Sequence, residues 1–104
     1  MNYLKGLIKC EICQGNYNYK NNNGQEEYLC GTKKNYSRSK CDSPTIKQSD
    51  LIYYIQKHCE LQGKNFEESK IKLFVRVIKV SKDYIKIFYK NGDVTEIYGD
   101  KIIF

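Results

Sequence analysis

Five cysteines punctuate a chain of 104 residues, and four of them fall in two pairs: Cys10 with Cys13, and Cys30 with Cys41. The first pair reads Cys10-Glu11-Ile12-Cys13-Gln14-Gly15. Two intervening residues let both thiolates turn toward one point, and Gly15 offers the positive φ that so tight a turn tends to need. The second pair arrives after a stretch long enough to run out and back as a hairpin. Four thiolates from two turns describe a tetrahedral Cys₄ site, and zinc is the metal that fits it best. Such a closed set leaves no open position on the metal, so its chemistry is stability rather than catalysis. The gap between Cys30 and Cys41 is wider than a knuckle, which makes Cys41 the least constrained of the four.

The fifth cysteine, Cys59, follows His58 directly. A mixed ligand set that includes either residue is the alternative to Cys₄. Cys59 reads more simply as a small apolar residue on a buried helix face, with His58 turned to solvent. Neighbours on a helix point about 100° apart, so the two side chains cannot meet as a nucleophile and its base. No other catalytic constellation appears along the chain, and the sequence reads as a non-enzyme.

The formal net charge is +6 and the isoelectric point is near 9.0. Residues 1–49 carry eight Lys or Arg against four Asp or Glu, and residues 50–104 carry ten against eight, so the excess lies mainly in the first half. A basic balance suits an anionic partner, most often nucleic acid, although a solvated lysine-rich loop has the same composition. No run is long or apolar enough to span a membrane, and the N-terminus lacks an apolar signal core with a small-residue cleavage site. A cytoplasmic, reducing compartment is the expectation, where clustered cysteines serve as metal ligands rather than disulfides.

The elements that must position these residues divide near Pro44–Ser49, giving an expected zinc β-ribbon over 1–46 and a helix-plus-sheet subdomain over 47–104 packed on it. Leu4–Lys9 reads as a short strand entering the first cysteine turn. Tyr17 and Tyr19 alternate with Asn18 and Lys20, the period of a half-buried strand. Asn21-Asn22-Asn23-Gly24 is a turn, and Glu27–Cys30 returns. Gly31–Lys40 is polar, basic and aperiodic, hence a loop. Ser49 or Asp50 is the expected cap of a helix whose inner face carries Leu51, Ile52, Ile55 and Cys59, with Gly63 as its stop. Asn65 is the expected cap of a second short helix, with Phe66, Ile71, Leu73, Phe74 and Val75 as its apolar contacts. Val77–Val80, Tyr84–Tyr89 and Val94–Tyr98 read as strands, the last two joined by a type I′ turn at Asn91-Gly92, with Ile102–Phe104 as an added edge. The fold class is α+β: a small zinc β-ribbon, one or two short helices, and a C-terminal antiparallel β-meander.

The opening, Leu4-Lys5-Gly6-Leu7-Ile8-Lys9-Cys10-Glu11-Ile12-Cys13-Gln14-Gly15, resembles the start of the zinc β-ribbon domain of large serine recombinases, where Leu-x-Gly-Leu-Leu/Ile-x-Cys-x-x-Cys-Gly leads into the ribbon. Tyr28-Leu29-Cys30, the basic loop to Cys41, Thr45-Ile46 and the elements after Asp50 extend the likeness over nearly the whole chain. Here Gln14 stands where the family has glycine, and the glycine comes one residue later. The resemblance implies a structural zinc on Cys10, Cys13, Cys30 and Cys41, and a DNA-binding role in site-specific recombination and DNA integration by a mobile element. The basic residues Lys20, Lys33, Lys34, Arg38 and Lys40 are the implied DNA contacts, since lysine and arginine neutralise phosphates and arginine also reads base edges. Double-stranded DNA is the implied partner, together with a recombinase catalytic domain or other recombinase subunits, and no membrane. Family members carry the serine nucleophile in a domain ahead of the ribbon. Ser37, Ser39, Ser43, Ser49, Ser69 and Ser81 stand in no matching context, and the spacing from Cys59 to Phe66 leaves no room for the coiled-coil hairpin of phage integrases. The chain thus reads as a C-terminal recombinase fragment or a small stand-alone relative. A protein-interaction module that pairs with or modulates a recombinase is the alternative, and an RNA-binding ribbon is a third.

Overall fold

The computed structural model describes residues 1–31 and 43–104. Cys41, Lys33, Lys34, Arg38, Lys40 and most of the expected basic loop lie outside the described residues. The fold is α+β, with a zinc-ribbon-like first part followed by a β-meander, as its sequence pattern predicts.

The ribbon is built on β2 (Tyr17–Asn22) and β3 (Gln25–Cys30), paired antiparallel from Asn22 opposite Gln25 to Tyr17 opposite Cys30. Asn23 at φ 53° and Gly24 at φ 87° form the two-residue turn, the geometry in which both central positions are left-handed. The Asn21 side chain accepts from the Gly24 N–H at 3.0 Å. A third strand, β4 (Ile46–Lys47), pairs with β3 at Tyr28 and Glu27.

β4 runs directly into α1 (Gln48–Leu61). The expected cap at Ser49 or Asp50 is not used: Lys47 holds the cap position with extended backbone and no side-chain bond. Pairing with β3 keeps Ile46 and Lys47 extended, so the helix begins as the strand ends and Asp50 falls in its first turn, where the helix dipole favours a carboxylate. Leu51, Ile55, His58 and Cys59 are buried on one face. The helix stops at Gly63: the Gly63 N–H donates to Glu60 O at 3.1 Å and the Lys64 N–H to Cys59 O at 2.9 Å, the paired bonds of a Schellman end.

The second helix differs from expectation. A 3-10 turn at Glu68–Lys70 precedes a single turn of α2 (Ile71–Phe74), and Asn65 caps neither. Ile71 is fully buried, but Leu73 is 67% exposed and supplies no core contact.

The meander comprises β5 (Val75–Val80), β6 (Ile85–Tyr89), β7 (Val94–Tyr98) and β8 (Lys101–Ile103), each antiparallel to the next. The β6–β7 connection is not the expected type I′ turn. Asn91 keeps negative φ while Gly92 is at φ 96°; the Gly92 N–H donates to Tyr89 O at 3.1 Å and the Tyr89 N–H to Asp93 O at 2.9 Å. This is a three-residue loop with a glycine bulge. The Asn91 side chain, accepting from the Asp93 N–H at 2.9 Å, stabilises that longer form.

Strand β1 (Ile8–Cys10) joins the meander rather than the ribbon. It lies parallel to β5, with Ile8 opposite Ile78, Lys9 opposite Lys79 and Cys10 opposite Val80, so the five-stranded sheet is mixed rather than wholly antiparallel. Its inner face sets Ile8, Ile78 and Ile87 side by side, all at most 2% exposed, against Leu51, Ile55 and Ile71 from the helices. Ribbon and helix are joined by one polar knot. Gln48, 4% exposed, accepts from the Tyr3 N–H at 3.0 Å and the Tyr28 hydroxyl at 2.6 Å, and donates to Met1 O at 2.8 Å and to the Glu26 carboxylate at 3.0 Å. Burial raises the Tyr28 phenol to about 12, so it stays a neutral donor. Among the described residues, no helix is long and apolar enough to cross a membrane.

Candidate metal centre

The first turn is closed by backbone. The Gln14 N–H donates to Cys10 O at 2.9 Å and the Cys10 N–H to Gly15 O at 2.8 Å, while the Glu11 N–H donates to Val80 O at 2.8 Å and fixes the turn to the end of β5. The left-handed residue is Gln14, at φ 63°, and not Gly15. The turn needs its positive φ immediately after the second cysteine, one position ahead of the glycine.

The second turn begins where β3 delivers Cys30. The Gly31 N–H donates to Asn16 O at 2.8 Å, tying the two turns together. A Cβ at position 31 would lie 3.1 Å from Asn16 O and 3.3 Å from Asn18 Nδ2, so the close approach requires a residue without a side chain. The sequence signal for this glycine is its place directly after Cys30, like the Cys-Gly pair that the family carries in its first turn.

These constraints bring the sulfurs of Cys10, Cys13 and Cys30 within 4.8 Å of one another, with Cys13 Sγ and Cys30 Sγ 3.4 Å apart. In a tetrahedral thiolate site with metal–sulfur bonds of about 2.3 Å, neighbouring sulfurs stand roughly 3.8 Å apart. The three thiols therefore fit three corners of such a site. Cys10 and Cys30 are buried and Cys13 is partly so.

Because a side chain at left-handed φ costs about 1–2 kcal/mol that glycine avoids, Gln14→Gly should stabilise the zinc-bound chain by roughly 0.5–1 kcal/mol. The bond lost, from Gln14 Nε2 to Glu11 O at 3.0 Å, is exposed and weakly offsetting. Thermal melting of the zinc-loaded variant checks this; an unchanged or lower midpoint contradicts it.

His58 and Cys59 are not in the sulfur cluster. Cys59 is a core residue, 2% exposed, and burial pushes its thiol pKa up. His58 is not solvated as expected. It is 5% exposed, stacks on the Tyr89 ring at 3.9 Å with an 11° interplanar angle, and places Nε2 3.3 Å from Asp93 Oδ2. Desolvation lowers its pKa, with Asp93 acting in the opposite direction, so the ring is held neutral at pH 7. Tyr17, Tyr19 and Tyr28 lie in or against the core rather than forming an outward platform. Of the expected DNA contacts, Lys20 is described: it is exposed on β2 opposite Glu27, two residues from the hairpin turn.

Comparison with known proteins agrees with this geometry. A solved structure described as "Sequence Requirements of the Listeria innocua prophage attP site" superposes with a TM-score of 0.60 at 18% identity, over 84% of this chain and 42% of that one. The likeness is one of fold, and the present chain spans less than half the length of that neighbour. No curated protein sequence matches the chain. The model of the recombinase zinc beta ribbon domain matches residues 3–60, more than half of the chain and all three clustered cysteines. The chain belongs to the recombinase zinc beta ribbon family.

Proposed function

We propose that this chain is a DNA-binding module of a serine recombinase, folded around a structural zinc, which grips an attachment-site duplex while a separate catalytic domain cuts and rejoins. The carrying observation is the convergence of Cys10, Cys13 and Cys30 from two turns of a family ribbon. Cys41 supplies the fourth thiolate. Two residues on, Ser43 is fully buried, and Pro44 O accepts from the Tyr17 hydroxyl at 2.8 Å. Tyr17 is the cross-strand partner of Cys30, so the chain re-enters the fold beside the cluster. The zinc, bound by four protein sulfurs, holds the two turns together and takes no part in a reaction.

Lys20, Lys33, Lys34, Arg38 and Lys40 make the phosphate and base-edge contacts. Four of them fall between the last two ligands, so the metal that closes the ribbon also fixes both ends of the contact segment. The prophage attP site in the description of the structural neighbour supports a prophage-type attachment site as the target class. The module works in the reducing compartment that holds the DNA.

Electrophoretic shift of the zinc-loaded chain with attachment-site duplex at low salt tests the reading. Binding should weaken steeply with salt and disappear in the K33E/K34E/R38E variant; no shift with any duplex from the parent element contradicts it. A second reading, docking onto a recombinase subunit, is favoured by the open β8 edge, where Ile103 and Phe104 are 43% and 42% exposed. The same charge reversal would leave that contact intact.

A further inference from the structure

The helices and the ribbon cover one face of the five-stranded sheet. The other face carries a row of cations. Lys9 on β1 stands opposite Lys79 on β5, which stands opposite Lys86 on β6, so three lysines sit side by side on adjacent strands. Like charges directly opposite one another destabilise a sheet, so this row, which ends on Glu96 of β7 opposite Lys86, carries two unfavourable pairings against one favourable one. Arg76, at the bulge in β5, adds a fourth cation: its guanidinium lies 5.5 Å from the Phe88 ring centre, and the Lys79 ammonium lies 5.3 Å from the same ring. Lys86 lies 4.9 Å from the Tyr84 ring. The aromatic rings hold the cations over the sheet without neutralising them.

Carboxylates only partly offset this charge. Glu11 reaches Lys79 at 4.0 Å and Glu96 reaches Lys86 at 3.7 Å, both loose and part-exposed pairs. Among the described residues, no helix lies over this face; α1 packs on the opposite one through His58 and Tyr89.

We infer that the outer face of the five-stranded sheet is a second DNA contact, which takes the phosphate backbone through Lys9, Arg76, Lys79 and Lys86. The inference rests on the DNA-binding reading above. Three of the four cations are ammonium groups, which neutralise phosphates but do not fork onto base edges, and the fourth, the Arg76 guanidinium, lies over the Phe88 ring, so the face positions the duplex rather than reading its sequence. It adjoins the metal centre, because Lys9 immediately precedes Cys10 and its ammonium bonds Asn16 in the first turn.

The test compares the zinc-loaded full chain, the K9Q/K79Q/K86Q variant and the K33E/K34E/R38E loop variant. Each is titrated over a range of salt against attachment-site duplex and against a random-sequence duplex of roughly three helical turns. The sheet variant should lose about tenfold or more in affinity at ~0.1 M salt, equally on both duplexes, and its log–log salt slope should fall by about 2–3. An unchanged slope with the loop variant inactive overturns the sheet contact and leaves the loop reading standing. Failure of the unaltered chain to bind either duplex overturns both. Loss on the attachment site alone also overturns the proposal, since it would mean base readout. Should the triple variant misfold by circular dichroism, Glu96→Gln decides: freeing Lys86 should raise affinity roughly threefold and steepen the slope by about 1, and no change overturns the proposal.

Discussion

On the zinc-bound reading proposed above, a strong chelator should dissolve the ribbon and release β1 from the five-stranded sheet. A structural thiolate zinc contributes about 10–16 kcal/mol of apparent free energy at neutral pH, comparable to the whole stability of a domain this size at about 5–15 kcal/mol. The ribbon has little to replace it. Its strands place few side chains in the core beyond Tyr17, Tyr28 and Cys30, and among the described residues the Gly31 N–H ties the end of β3 to Asn16 O. Cys30→Ser should reproduce the effect at saturating zinc, because Cys30 is both a cluster member and the end of β3. Metal binding requires thiolates, so the zinc-bound state should also weaken as pH falls. Amide NMR spectra with and without chelator check this: collapse of the dispersed signals of residues 8–31 is expected. A spectrum that keeps its dispersion without metal would show that the thiols merely pack.

Truncating Ile78 should be the most damaging single change away from the sulfurs. Ile78 is fully buried between Ile8 on the parallel neighbour and Ile87 on the antiparallel one. Large-to-small changes at such sites cost about 2–5 kcal/mol, and for a domain of this length that lowers the melting midpoint by the order of 10–20 °C. The loss should not be purely global. Ile78 donates its N–H to Leu7 O at 2.8 Å, and β1 carries Cys10, so Ile78→Ala should also weaken zinc retention. The exposed edge residue provides the control: Ile103→Ala should shift stability by no more than about 0.5 kcal/mol. Equal zinc affinity in the Ile78→Ala and unaltered chains would show that the sheet does not support the metal centre.

Much of this was legible in the residues because the relevant signals are local. The Cys10–Cys13 turn and the Asn23-Gly24 hairpin each depend on a few consecutive side chains whose backbone preferences are strong. The buried helix face followed from the spacing of Leu51, Ile55 and Cys59. What escaped depends on distant partners. Three residues of β1 carry no signal of parallel pairing with a strand seventy positions later. His58 sits seven residues after Leu51, hence on the same helix face, but a histidine is acceptable there only because Tyr89 and Asp93 arrive from the β6–β7 hairpin. Asn91-Gly92 has the composition of a tight two-residue turn, and Asp93 tips it to the longer loop by bonding the Asn91 side chain. The αL position in the first cysteine turn was misplaced by one residue because glycine is the usual occupant and here glutamine takes it.

The parallel pairing of β1 with β5 also sets an order of events during synthesis. Cys10, Cys13 and Cys30 leave the ribosome well before Ile78 exists. At about 5–20 residues per second, the docking strand lags the first knuckle by roughly 4–14 s. During that interval the nascent thiols are free of the sheet that later encloses them, and metal capture has its most open access. β5, the strand that pairs with β1, arrives only after these thiols, so on the zinc-bound reading the order of translation favours metal entry before burial rather than after it.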